Sequence, residues 1–85
     1  MLFMVESRFA AAPTPEILAL LPDEQARGRE LHSQGVRRHL FVAADNSASW
    51  QVFEVQSRED LDPVLASYPF HSYMSENVTE LGATA

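Results

Sequence analysis

The sequence predicts an α+β fold: one antiparallel sheet of four strands with two helices on one face. Three observations predict it. Four stretches alternate or run apolar with strand-forming residues, two stretches between them open with helix-start signals, and the order is β-α-β-β-α-β. That order is the split βαβ motif, the ferredoxin-like arrangement. With 85 residues, the chain is expected to form a single domain over residues 1–85.

Each element has its own signals. Leu2 to Phe9 is a strand, with Leu2, Met4 and Glu6 on one face and Phe3, Val5 and Ser7 on the other. Both faces are apolar at the start, so both should be covered. Thr14-Pro15-Glu16 offers a capping hydroxyl, a proline in the first turn and an acid beside the positive helix end. Ile17, Leu18, Leu20 and Leu21 form an apolar face, and Pro22 should then kink or restart the helix. The helix is expected to run through Leu31 and stop at Gly35, which suits a left-handed cap. Gly28 inside it costs about 1 kcal/mol relative to alanine and suggests a close approach to the sheet.

Two strands follow, Val36–Ala43 and Ala48–Val55, joined by the turn residues Asp45-Asn46-Ser47. Pairing Phe41 with Trp50 puts Arg37, His39, Phe41, Trp50, Val52 and Glu54 on one face. Arg38, Leu40, Val42, Gln51, Phe53 and Val55 then share the other, and a one-residue slip would exchange the sets. Ser57-Arg58-Glu59-Asp60 resembles a capping box before a second helix to about Ser67, with Pro63 in or near its first turn. Tyr73 to Leu81 is the last strand, and Gly82–Ala85 should fray.

Composition excludes several classes. There is no cysteine, hence no disulfide framework and no thiolate chemistry. The net charge is −6 and every basic residue is arginine, a poor basis for binding nucleic acid, which depends on phosphate neutralisation. Without lysine there is neither a side-chain Schiff base nor a P-loop. The longest apolar runs, near Leu18–Leu21 and Leu40–Ala44, are far short of the roughly 20 residues that span a bilayer. The opening residues meet an acid at Glu6 with no basic segment before it, so they read as a strand and the cytoplasm is the expected compartment. A domain this small buries only about 60% of its unfolded surface, so a second copy is the expected support.

Few residues point to chemistry. Arg37-Arg38-His39 is the densest polar group in an apolar hairpin. Successive strand residues face opposite ways, so Arg38 and His39 do not enter one cavity from one face. His39 reads either as a hydrogen-bonded interface histidine, with Arg37–Glu54 as a cross-strand pair, or as a proton carrier. Glu24 lies among Asp23, Arg27 and Glu30, a spacing that usually marks a solvated helix face. His32, His39 and His71 match no metal-ligand spacing, and no metal site is expected. No serine has a nucleophile-elbow context.

Against this background the chain resembles the muconolactone isomerase family along nearly its whole length. The matching residues are Met1-Leu2-Phe3 with Val5, then Glu24 ahead of Leu31 and Gly35, then Arg38-His39-Leu40, then Val52-Phe53 with Val55. Pro69, Tyr73-Met74 and Val78 complete the series. The resemblance implies a dimeric α+β barrel, two four-stranded sheets face to face, usually built into larger rings. It implies a cofactor-free isomerase of bacterial aromatic catabolism that moves a double bond in a butenolide lactone. By the same resemblance, Glu24 suits the proton shuttle, with His39 the competing candidate, and Arg38 suits the partner of an anion or enolate oxygen. Phe41, Trp50 and Tyr73 are expected to line ligand or interface surfaces. In this register Arg38 points toward the helices, where it would meet Glu24.

The chain also departs from the family pattern. Arg37 stands where the family usually has tryptophan, Phe41-Val42 where it has Trp-Arg, and Phe70-His71-Ser72 where it has Leu-Phe-Pro. The usual C-terminal extension is expected to be cut short at Ala85. The missing second arginine leaves two alternatives open: a related isomerase or cyclase acting on a less charged, polyketide-like aromatic, and a ligand-binding or scaffold subunit without catalysis.

Overall fold

Alternating burial along Leu2–Phe9 (strand β1) shows why the chain folds as it does: Phe3, Val5 and Ser7 are buried on one side, while Leu2, Met4 and Glu6 are half-buried on the other. The computed structural model describes residues 1–82; of the fraying expected at Gly82–Ala85, residues 83–85 lie outside the described part. After β1 come α1 (Pro15–Leu18), α2 (Leu21–Ser33), β2 (Arg37–Val42), β3 (Ser49–Glu54), α3 (Arg58–Ala66), a 3₁₀ turn (His71–Tyr73) and β4 (Met74–Leu81). The strands form one antiparallel sheet in the order β2-β3-β1-β4.

The expected start and stop signals operate. Thr14 Oγ1 accepts a hydrogen bond from the Ile17 amide at 3.3 Å, with Pro15 next to it. The first helix breaks at Ala19-Leu20 and restarts with Pro22 in the first turn of α2. Gly35 closes α2 with φ +77°, and Asn46 turns the β2–β3 hairpin with φ +62°. Ser57 Oγ caps α3 by accepting from the Asp60 amide at 3.1 Å. Pro63, expected in or near the first turn of α3, lies early in the second. Its ring nitrogen cannot bond the Glu59 carbonyl, a loss made tolerable because both residues are exposed to water.

Helices α2 and α3 both lie on the Phe3–Val5 side of the sheet. Leu31 from α2 and Leu61 and Leu65 from α3 pack with Phe3, Val5, Phe53 and Tyr68 into one core. Each fully buried side chain of this kind contributes about 1.5–3 kcal/mol, so these few residues supply most of the hydrophobic drive. On the other side of the sheet Val52 is buried, Met4 and Trp50 are half-buried and Phe41 is 57% exposed.

The hairpin register contains the main surprise. Phe41 does pair with Trp50 and His39 with Val52, but Arg37 pairs with Phe53, leaving Arg38 as the extra residue of a β-bulge. An extra residue reverses the facing of everything before it. Arg37 therefore joins Leu40, Val42, Gln51 and Phe53 on the helix side. Arg38 turns to the opposite side and forms the ion pair with Glu54, at 2.8 Å, that was expected of Arg37.

Candidate active site

Between α1–α2 and the β2–β3 end of the sheet lies an open cavity of about 950 Å³. Its walls are largely apolar, with Phe9, Leu18, Leu21, Leu40 and Val42 among them, and its polar lining includes Glu24, Arg37, Gln51 and Tyr68. Four elements deliver these groups. Glu24 comes from the first turn of α2, Arg37 from the bulged end of β2, Gln51 from the middle of β3 and Tyr68 from the end of α3.

Glu24 is half-buried, and its Oε1 accepts a hydrogen bond from the Phe70 amide at 2.9 Å. Burial pushes its carboxyl above the ordinary value of 4.5, against the lowering effect of the Phe70 bond. The neighbouring Glu76 adds to the rise and His71 opposes it. A carboxyl raised by burial is better suited to taking and returning a proton than a fully solvated one.

Arg37 lines the same cavity. Its guanidinium occupies space above Gly28 of α2: a Cβ there would sit 2.4 Å from Arg37 Nη1. The close approach anticipated at Gly28 is thus the arrival of an arginine from the sheet. Arg37 Nη1 is 3.5 Å from Gln51 Oε1, and that same oxygen accepts a bond from the Tyr68 hydroxyl at 2.7 Å. Arg37 Nε is buried without a partner. Buried donors are almost always satisfied, so an unpaired one beside a cavity is a place for a ligand oxygen. Burial raises the Tyr68 hydroxyl above 10, keeping it a proton donor at neutral pH, while Arg37 lowers it and Glu24 raises it.

The residues singled out from sequence divide sharply. Glu24 is in the cavity. Arg38, expected beside it, is not: the bulge sends it to the other face. His39 and Phe41 lie on that other face, stacked with ring centroids 6.1 Å apart, and both are exposed. Trp50 shares this face, its Nε1 donating to Glu6 Oε1 at 3.3 Å. Tyr73 is 41% exposed in the 3₁₀ turn and does not line the cavity. Arg37, Gln51 and Tyr68 were missed. The one signal for Gln51 was a polar residue on the inward face of an apolar strand; for Arg37 there was none, because a bulge leaves no mark in hydrophobic alternation.

Among the described residues no three His, Asp or Glu side chains gather as metal ligands, and no helix is long and apolar enough to cross a membrane.

The fold and the cavity define a class: a ferredoxin-like α+β domain with a carboxylate and an arginine lining one cavity between sheet and helices. The comparisons make this particular. The family described as muconolactone delta-isomerase matches residues 1–84. Muconolactone delta-isomerase 2 of Acinetobacter lwoffii is 39% identical over 62 residues, covering 73% of this chain and 65% of that protein. The muconolactone delta-isomerase of Acinetobacter baylyi is 30% identical over 69 residues, covering 81% of this chain and 72% of its own length. A crystal structure of muconolactone isomerase superposes with a TM-score of 0.84 at 31% identity, covering 99% of this chain and 91% of that one. The chain belongs to the muconolactone delta-isomerase family.

Proposed function

We propose that the chain is a cofactor-free isomerase of aromatic catabolism that shifts a double bond in a small lactone or related cyclic enone by proton transfer through Glu24. The observation that carries this is the half-buried Glu24 carboxylate in the same apolar-walled cavity as Arg37. The Glu24 carboxylate takes a proton from the carbon beyond the double bond that is conjugated with the carbonyl. The electron pair of that C–H bond moves into the ring and charge develops on the carbonyl oxygen. Arg37 offers guanidinium donors to that oxygen, its unpartnered Nε among them. The dienolate collapses by taking the proton back from Glu24 at the carbon next to the carbonyl, so the double bond has moved and the site is unchanged.

Arg37 replaces Arg38 as the oxyanion or carboxylate partner in this reading, because it is the arginine that lines the cavity. His39, on the opposite face, falls behind Glu24 as the shuttle. The open sheet face that carries Met4, Phe41, Trp50 and Val52 is where a second copy would pack, giving the homo-oligomer expected of so small a domain. The reading places the chain in the cytoplasm with a small-molecule substrate.

One observation favours a second substrate class within the same chemistry. Among the described residues, Arg37 is the single cation lining the cavity, and Val42 leaves the other end of β2 apolar. A cyclic enone or polyketide-like aromatic of lower charge than an acidic lactone fits such walls. Ultraviolet assay on muconolactone separates the two. Turnover that survives a chelator, and falls about 10- to 100-fold in kcat/KM for Arg37→Gln, supports the lactone reading; the range is the worth of one charge-assisted hydrogen bond. No absorbance change at high protein concentration removes muconolactone as substrate.

A further inference from the structure

Behind Glu24 stands a histidine–carboxylate pair that the proposed chemistry does not use. The Phe70 amide that holds Glu24 belongs to the turn leading into β4, and the Phe70 ring is buried against Phe9 with centroids 5.1 Å apart. His71 N bonds Tyr68 O at 3.0 Å, and Tyr73 N bonds Phe70 O at 2.9 Å. The direction of the Phe70 amide therefore depends on where His71 is held. Nδ1 of His71 is buried and lies 3.1 Å from Glu76 Oε1, off the line of a hydrogen bond. Glu76 pairs with the buried Ser7 across β1–β4, which puts it on the helix side of the sheet, and its side chain is only 19% exposed.

We propose that His71 and Glu76 are positioning residues for Glu24: their pair pins the turn to β4, holds the Phe70 amide on the Glu24 carboxylate, and sets the charge Glu24 faces while it carries a proton. The inference rests on Glu24 being the shuttle. The charged groups that act on Glu24 are Glu76 from β4 and His71 from the turn; Tyr68, just past the end of α3, feels the Glu24 charge, and Arg37 lines the same cavity. Glu76 in turn feels His71 and Arg58 of α3, while burial raises its carboxyl. Glu76 raises the Glu24 carboxyl and His71 lowers it, so the two push Glu24 in opposite directions.

Opposite signs make the test. The Glu24 carboxyl is followed by ¹³C NMR through a pH titration in the full chain, for the wild type, His71→Gln and Glu76→Gln. The Glu24 midpoint is expected to rise in His71→Gln, where a cation is lost, and to fall in Glu76→Gln, where an anion is lost. The acid limb of the pH profile of kcat/KM on muconolactone should move the same way in each variant. Midpoints that stay put in both variants, or move in the same direction in both, overturn the proposal, since general loosening of the turn has no sign. The midpoints need no substrate, so a wild type inactive on muconolactone would count against the functional reading while this readout still decides the positioning role.

Discussion

Glu24 is asked to do two things that conflict. Burial that tunes it for proton transfer also makes its ionised form costly, and the folded chain consequently holds that proton more tightly than the unfolded chain does. The sign follows from linkage: with the folded value above 4.5, stability falls as pH rises from 4.5 through the raised value and remains lower above it. In Glu24→Gln the amide oxygen still accepts the Phe70 amide bond and nothing ionises. Thermal melts should therefore show the variant gaining on the wild type between pH 4 and pH 7. A variant that loses ground over that interval would mean burial is not what governs this carboxyl. The two neighbouring arginines test the geometry of the bulge. Arg38→Ala removes a half-exposed ion pair with Glu54, worth about 0–1 kcal/mol, and should leave kinetics nearly unchanged. Arg37→Ala should raise KM and slow turnover together, because its guanidinium would hold ground state and transition state alike. The reverse pattern would return the role to Arg38.

At the scale of elements, α2 and β2 are fitted closely where Gly28 lies beneath Arg37. Gly28→Ala restores about 1 kcal/mol of helix propensity, so folding should not suffer. The new methyl occupies the place of Arg37 Nη1, and the flexible guanidinium must move away from Gln51. The expected result is an unchanged or higher melting temperature with a raised KM; an unchanged KM would show that Arg37 needs no support from α2. This contact also marks where sequence reading stops. The caps at Thr14 and Ser57, the restart at Pro22, the stop at Gly35 and the Phe41–Trp50 pairing were all legible, because each rests on local backbone chemistry. Glu24 could be placed at the head of α2 for the same reason. The bulge at Arg38 was not legible: it is one residue out of step, it leaves the rest of the hairpin in register, and it alone decides which arginine enters the cavity. Gln51 and Tyr68 escaped because their roles come from meeting across the sheet–helix boundary at 2.7 Å, a contact between residues 17 apart in sequence.

For the whole molecule, the sheet divides the labour. Its helix side holds the core and the cavity, and its other side leaves Phe41 exposed beside half-buried Met4 and Trp50. Covering that side with a second copy would add the burial that a chain of 85 residues lacks. Light scattering at micromolar concentration should give at least a dimer, and Phe41→Glu should shift it toward monomer with a lower melting temperature; a wild type that stays monomeric contradicts the packing. The central claim is that this cavity moves a proton through Glu24, and the most direct measurement is the ultraviolet rate of muconolactone isomerisation by the wild type and by Glu24→Gln at neutral pH. The account predicts measurable turnover by the wild type and a loss of about 10²–10⁴ in the variant, the usual scale of one general acid–base group. A Glu24→Gln protein that isomerises the lactone as fast as the wild type would contradict it.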